Sequence, residues 1–156
     1  MVRSGMRAHG VAREPRPTAM TAEEIAVFLA REFPQMAREL GELTIVEATG
    51  DHALVRLTIG ERHLRPGGTV SGPTQFALAD VSAYVAVLAA VGPKALAVTT
   101  SGNINFLKKP SVGDLSALCR ILKHGKRLVV IDCMLFSEGV DDPVAHAVLT
   151  YSVPDK

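Results

Sequence analysis

The positions of apolar and polar residues divide this chain into a short helix, a pair of strands, one long apolar segment and a final group of strands. Thr21 and Glu24 have the spacing of a capping box, and apolar residues follow them at helical intervals. This pattern predicts an amphipathic helix over 22–32 that ends before Pro34.

Two strands follow this helix. The first covers 43–48 and the second, with clear alternation, covers 52–59. The Thr-Gly-Asp sequence at 49–51 predicts a tight turn between them. Residues 60–74 are rich in Gly and Pro and predict an irregular connection.

The longest apolar segment, 75–90, predicts a helix because it is long and rich in alanine. Ser71 or Gly72 is placed to cap this helix, and Pro73 suits its first turn. Gly92 and the proline after it end the helix. A helix that is apolar on most sides must be buried nearly all round.

The remaining segments predict strands, at 98–107, 115–122, 128–136 and 144–153, with a hairpin turn at 124–126. One long helix between strands, without repeated alternation of the two, is typical of an α+β fold. We therefore expect an antiparallel sheet wrapped around one central helix, with the last strands forming a meander.

Composition and charge narrow the class of protein. The 156 residues fit one domain, and the 47% hydrophobic and 21% charged residues are typical of a soluble globular protein. A net charge of +1 and 4% aromatic residues give no sign of a nucleic acid partner. Residues 1–19 lack periodicity and predict a flexible tail, which leaves a single domain over 20–156.

The sequence also bears on membrane insertion, metal binding and cellular location. Polar residues interrupt the longest apolar run and no signal peptide is evident, so no membrane-spanning segment is predicted. The histidines lack metal-ligand spacing, which predicts no metal site. Cys119 and Cys133 fit a reducing cytoplasm better than a disulfide scaffold. They lie on either side of the turn at 124–126, either facing each other or as two separate buried thiols.

Asp80 is the most informative residue because it lies within the least polar segment of the chain. At helical spacing it shares a face with Phe76 and Tyr84. Burying an ionised carboxylate is costly unless a partner compensates for the lost hydration. Two interpretations follow: a structural Asp bonded to a helix terminus or a hydroxyl, or a carboxylate poised for attack at a cleft.

The start of the long helix is a second chemical feature. A helix N-terminus presents unpaired N–H groups and a partial positive charge, which stabilise a developing oxyanion. Gly72 lets a carbonyl approach its backbone N–H closely, whereas Pro73 has no N–H to offer. The alternative is that this start is only a helix cap.

These residues resemble a known family. The segment 67–85, GGTVSGPTQFALADVSAYV, is similar to the motif of PaaI-like acyl-CoA thioesterases of the hotdog superfamily, in which six residues separate a His-Gly-Gly triplet from the catalytic Asp. Aligning that Asp with Asp80 places the triplet on Ser71, Gly72 and Pro73. Segments 103–114 and 124–136 also resemble the family, so the likeness covers essentially the whole domain.

The resemblance implies a hotdog fold that hydrolyses acyl-CoA thioesters with aryl or medium-chain acyl groups. It makes Asp80 the general base or nucleophile and the Gly72 N–H the group that polarises the carbonyl. Thr99 lies near a position where some relatives carry a water-orienting hydroxyl. Coenzyme A enters as part of the substrate, and no separate cofactor is implied.

The resemblance also implies a homodimer, often a dimer of dimers, with the active site at the interface. Asp80 of one chain is then expected to face strand residues such as Thr99 of the other. Basic strand ends bind the CoA phosphates in the family, and solvated turn charges are the alternative here. The predicted substrate-binding residues are Ser71, His63, Arg65, Tyr84, Lys108, Lys109, Lys126 and Arg127.

The sequence departs from the family motif at three places. Ser71 stands where the family has His, Pro73 stands where it usually has Gly, and Arg65 lies near the position of an upstream Asn. A second hypothesis is therefore a catalytically weak hotdog protein that binds acyl-CoA or a related ligand. A dehydratase or hydratase is the third and ranks last, because no His accompanies Asp80 in the motif.

Overall fold

The computed structural model describes residues 13–155. Its helices are α1 (Ala22–Glu32), α2 (Pro34–Leu40) and α3 (Gly72–Val91). Its main sheet consists of β1 (Leu43–Ala48), β2 (His52–Leu57), β5 (Val98–Phe106), β6 (Leu115–His124), β7 (Leu128–Ser137) and β8 (Pro143–Ser152). A hairpin of β3 (Leu64–Arg65) and β4 (Thr69–Val70) precedes α3. The predicted α+β fold, an antiparallel sheet around one central helix, is confirmed.

The strand order of the six-stranded sheet is β1-β2-β6-β7-β8-β5. The predicted meander is therefore correct only for β6 to β8. After α3 the chain enters β5, which pairs with β8 at one edge, and then crosses to β6 beside β2. Local alternation cannot reveal this crossing, because it marks strands and not their distant partners.

Helix α3 lies against the inner face of the sheet. Ser71 caps it by accepting a hydrogen bond from the Thr74 N–H at 3.2 Å, and Gly92, at a φ of 97°, follows its last turn. By length and composition alone, this 20-residue helix is long and apolar enough to cross a membrane. However, 67% of its most apolar 18-residue window is buried, as expected for a core helix.

The inner face of β6 and β7 carries the two cysteines. Cys119 and Cys133 are directly paired across the strands, and their sulfur atoms are 2.9 Å apart. Both are free thiols with no exposed surface, and burial raises the pKa of the Cys119 thiol well above its usual value. Both interpretations of the cysteines therefore apply together, because the thiols are buried and also face each other.

We expect neither cysteine to react with Ellman's reagent in the folded protein, because the reactive thiolate is disfavoured and shielded. Both should react within seconds after unfolding in guanidinium chloride. Absorbance at neutral pH checks this expectation, and rapid labelling of the native protein would contradict the burial described here.

Residues 13–19, assigned from the sequence to a flexible tail, contact the domain. Arg13 and Arg16 form ion pairs with Asp51 in the turn between β1 and β2, and the Arg13 hydrogen bond lowers the pKa of that carboxyl. The Ala19 N–H donates to the Ala89 carbonyl at 2.7 Å. The first 12 residues of the predicted tail lie outside the described residues.

Candidate active site

Asp80 lies on the face of α3 that meets β5 and β8. Thr99 Oγ1 donates a hydrogen bond to Asp80 Oδ1 at 2.6 Å. The Tyr151 hydroxyl lies 2.9 Å from the same oxygen and 2.9 Å from the Asp80 backbone carbonyl. Thr99 and Tyr151 are directly paired across the two strands, which explains why both hydroxyls reach one carboxylate.

The hydroxyl partners hold one oxygen of the carboxylate and leave the other accessible. Burial, reinforced by the Asp80 charge, raises the pKa of Tyr151 far above its usual value, so Tyr151 remains a neutral donor. Among the described residues, the side-chain hydrogen bonds to Asp80 all fall on Oδ1. Asp80 is only half-buried, and its Oδ2 is therefore available to water or substrate.

Two cavities meet at Asp80. The inner cavity, about 400 Å³, extends beneath α2, and the edge cavity, about 310 Å³, extends toward the start of β5. Both are lined by Asp80, Tyr84, Tyr151 and Phe33. The rings of Tyr84 and Tyr151 stack at 5.9 Å with an interplanar angle of 8° between these spaces. A carboxylate beside two cavities and bonded to hydroxyls combines both sequence interpretations of Asp80.

The position of Thr99 differs from the one predicted. It was expected to meet Asp80 of a partner chain, but it contacts Asp80 of its own chain. The reason is the crossing described above: β5 pairs with β8 on the side of the sheet that covers the middle of α3. Thr99 therefore belongs to the same protomer as the carboxylate that it binds.

Gly72 is the first residue of α3, eight positions before Asp80. At the helical rise per residue, eight positions separate the two groups by roughly 12 Å along the axis. The N–H of Gly72 and the carboxylate of the same chain therefore cannot contact one thioester carbonyl. A β-carbon at position 72 would lie 3.3 Å from Phe106 Cζ, which shows how closely β5 packs against this turn.

Other predicted pocket residues occupy different roles. The Ser71 hydroxyl accepts from the Thr74 N–H and donates to Thr74 Oγ1 at 3.0 Å, so it is committed to the helix cap. Tyr84 lines both cavities and donates from its hydroxyl to the Ala95 carbonyl at 3.1 Å. Arg65 is exposed in the β3–β4 hairpin and lines neither cavity.

The four basic candidates do not form one site within the chain. Lys108 and its neighbour Lys109 are exposed beside the start of β8, where the Lys108 N–H donates to Val144. Arg127 and its neighbour Lys126 lie at the other end, where the Arg127 carbonyl accepts from Val153. Nine residues along this strand correspond to roughly 30 Å. A single set of CoA phosphates cannot contact both pairs in one protomer.

His63 lines the inner cavity, but both of its ring nitrogens are already bonded. Its Nδ1 accepts from the Gly60 N–H at 2.8 Å, and its Nε2 donates to the Leu40 carbonyl. Arg62 beside it donates to the carbonyls of Ala37 and Arg38 at 3.4 and 3.0 Å. Arg62 and His63, which we call the clamp, therefore hold the C-terminal end of α2.

Replacing His63 by Ala should lower the free energy of unfolding by about 2–4 kcal/mol, because a buried imidazole is lost and the buried Leu40 carbonyl and the Gly60 N–H lose their partner. Urea denaturation followed by circular dichroism measures this loss. His124, exposed at the β6–β7 turn, is the matched control, and its change to Ala should alter stability by less than about 0.5 kcal/mol. Equal stabilities of the two variants would refute the clamp.

Sequence reasoning missed Tyr151 and α2. The signals for α2 were present: Pro34 at the first helical position, and Gly41 after the last turn with a φ of 108°. For Tyr151 the signal was an aromatic residue with a polar tip at the end of an apolar strand. Neither signal identifies a site until the fold brings both beside Asp80.

The fold is that of a hotdog protein, and comparisons with known proteins agree. The Thioesterase superfamily matches residues 67–144, and this chain belongs to that family of thioester hydrolases. A solved structure from Silicibacter sp. TM1040, described as a proposed thioesterase, is 46% identical, with 90% of this chain and 96% of that chain covered and a TM-score of 0.81. A protein of Saccharolobus solfataricus, named as a proposed esterase, is 29% identical over 131 residues, 84% of this chain and 78% of the relative.

Two more distant structures share the fold. The PaaI protein of the E. coli phenylacetic acid degradation operon is 23% identical, with 82% and 90% of the chains covered and a TM-score of 0.69. A hypothetical thioesterase with coenzyme A from Streptococcus pneumoniae is 19% identical, with 81% and 96% covered and a TM-score of 0.68. The predicted likeness to PaaI-like hotdog thioesterases is therefore confirmed.

Proposed function

We propose that this thioester hydrolase acts on acyl-CoA with an aryl or medium-chain acyl group and uses Asp80 as general base or nucleophile. The observation that carries the proposal is the position of Asp80, half-buried between two cavities, with one carboxylate oxygen that accepts no side-chain hydrogen bond from residues 13–155. Coenzyme A in the related Streptococcus pneumoniae structure supports CoA as the thiol part of the substrate.

The chemistry follows from the free oxygen of Asp80. As a general base, Oδ2 removes a proton from a water molecule, whose oxygen attacks the thioester carbonyl; the carbon–sulfur bond then breaks, and the proton held by Asp80 passes to the sulfur of the departing CoA. As a nucleophile, Oδ2 attacks the carbonyl itself, the carbon–sulfur bond breaks and the CoA thiolate leaves; water then hydrolyses the resulting anhydride, which releases the carboxylic acid and restores Asp80. In either route Thr99 and Tyr151 hold Oδ1 and fix the orientation of the carboxylate.

The proposal includes a second copy of the chain. Since Gly72 and Asp80 of one protomer lie roughly 12 Å apart along α3, the Gly72 N–H would polarise a carbonyl that faces Asp80 of a partner. Strand β5 supports this arrangement, because it is an edge strand that exposes Val98 and Phe106. The proposed assembly is a homodimer or a dimer of dimers in the cytoplasm, without a separate cofactor.

Release of CoA from a panel of acetyl-, butyryl-, octanoyl-, benzoyl- and phenylacetyl-CoA tests the function. We expect turnover to be fastest with the aryl or medium-chain members and slow with acetyl-CoA. Calorimetry with the same compounds provides the contrast: binding without turnover would favour a ligand-binding protein over an acyl-CoA hydrolase.

A further inference from the structure

The inner cavity is lined by apolar side chains from its roof and floor and by the polar side chains of Glu39, Arg62, His63 and Thr74. The roof segment, residues 33–40, contributes Phe33, Met36 and Leu40. The floor is the face of α3 that carries Ala77 and Val81. Met36 is half-buried and packs against the core, so its side chain forms part of the cavity wall.

We propose that the inner cavity receives the acyl group and that Met36 limits the length of the acyl chain that fits. The inference rests on the proposed function, since it assigns the two ends of the same substrate. An acyl group is apolar and gains most where apolar side chains enclose it. The edge cavity lies on the other side of Asp80, beside Glu32 and Thr99, and is left for the pantetheine arm.

The dimensions agree with a short substrate. From Asp80 the floor runs back to Thr74, six positions earlier on α3, which is roughly 9 Å of helix. With a volume of about 400 Å³, the space suits a phenyl ring or a medium-chain acyl group and is too short for an extended long-chain fatty acyl group. The side chain of Met36 lies along this path as part of the cavity wall.

The roof segment is fixed at its far end. The clamp of Arg62 and His63 holds the carbonyls of Ala37, Arg38 and Leu40, and the Ser71 N–H donates to the His63 carbonyl at 2.9 Å. The roof is thereby tied to the entrance of α3. A pocket of fixed depth discriminates between acyl groups by their length, whereas a mobile roof segment would adapt to an acyl group of any length.

Kinetics across straight-chain acyl-CoA substrates of two to twelve carbons test the role of Met36. Met36→Trp should lower kcat/KM for the longest good substrates at least tenfold and leave acetyl-CoA within about threefold, because each excluded methylene forfeits about fourfold in affinity. Met36→Ala should move the optimum to longer chains. Gln35→Trp, on the exposed side of α2, is the matched control and should keep the wild-type profile.

The outcomes separate this inference from the proposed function. If hydrolysis depends on Asp80 but both Met36 variants change every chain length by the same factor, the length-setting role is wrong and the function stands. If the wild-type protein hydrolyses no acyl-CoA, the function fails and the inference with it. Opposite shifts of the optimum by Trp and Ala support the assignment, and since misfolding lowers all rates together, it cannot imitate them.

Discussion

Asn in place of Asp80 should lower kcat for acyl-CoA hydrolysis by about 10²- to 10⁴-fold, the contribution expected of a positioned general base. The amide keeps the shape of the carboxylate, and its oxygen can still accept from Thr99 and Tyr151. It has no charge with which to attack a carbonyl or to take a proton from water. Steady-state kinetics and a thermal melt of the same preparation measure the loss and show that the fold is retained.

Asp132 provides the matched control for this variant. It is also half-buried and hydrogen-bonded, but its partner is His146 and neither residue lines either cavity at Asp80. Asp132→Asn should leave kcat within about twofold of the wild-type value, as expected for a change outside the site. Undiminished hydrolysis by the Asp80→Asn protein would remove the proposed role of this carboxylate.

The second large effect is expected at Gly72. Proline at this position removes the backbone N–H, and loss of one oxyanion donor costs about 10²- to 10³-fold in kcat. The backbone accepts the change, because Ser71 has a φ of −68° and a ψ of 155°, the region that a residue before proline prefers. Gly72→Ala places a β-carbon against the same Phe106 ring but keeps the N–H, so it should retain most activity.

Mixing the two inactive variants tests whether one site draws on two chains. A mixed dimer of Asp80→Asn and Gly72→Pro subunits would contain one site with both functional groups and one site with neither. Co-expressed and randomly assorted subunits should regain about one quarter of wild-type activity, since half of the dimers are mixed. Mixed dimers without activity would place Gly72 and Asp80 outside a common site.

Much of the fold followed from local patterns. The bounds of β1 were predicted residue for residue, Ser71 was one of the two cap candidates, and the end of the central helix at Gly92 was anticipated. These features depend on neighbouring residues: alternation, a hydroxyl at a helix start, and a glycine that tolerates a positive φ. Asp80 was identified for a similar reason, since a charge within an apolar helix is visible in the sequence itself.

Features that depend on distant contacts were not predictable. Nothing near Thr99 or Tyr151 shows that β5 and β8 pair, and only that pairing brings both hydroxyls to Asp80. The separation between Lys108 and Arg127 is likewise set by the length of β8, not by their spacing in the sequence. Helix α2 was overlooked because its seven residues are too few for a clear periodic pattern.

The division between the roof segment and the carboxylate site has an evolutionary consequence. Asp80 and its hydroxyl partners lie on α3, β5 and β8. The roof segment of the inner cavity lies on a short helix, which separate hydrogen bonds from the clamp hold in place. Substitutions in the roof segment can accumulate without disturbing the hydrolytic groups. Enzymes that descend from one ancestor can therefore diverge in the acyl groups that they accept while the reaction that they catalyse stays the same.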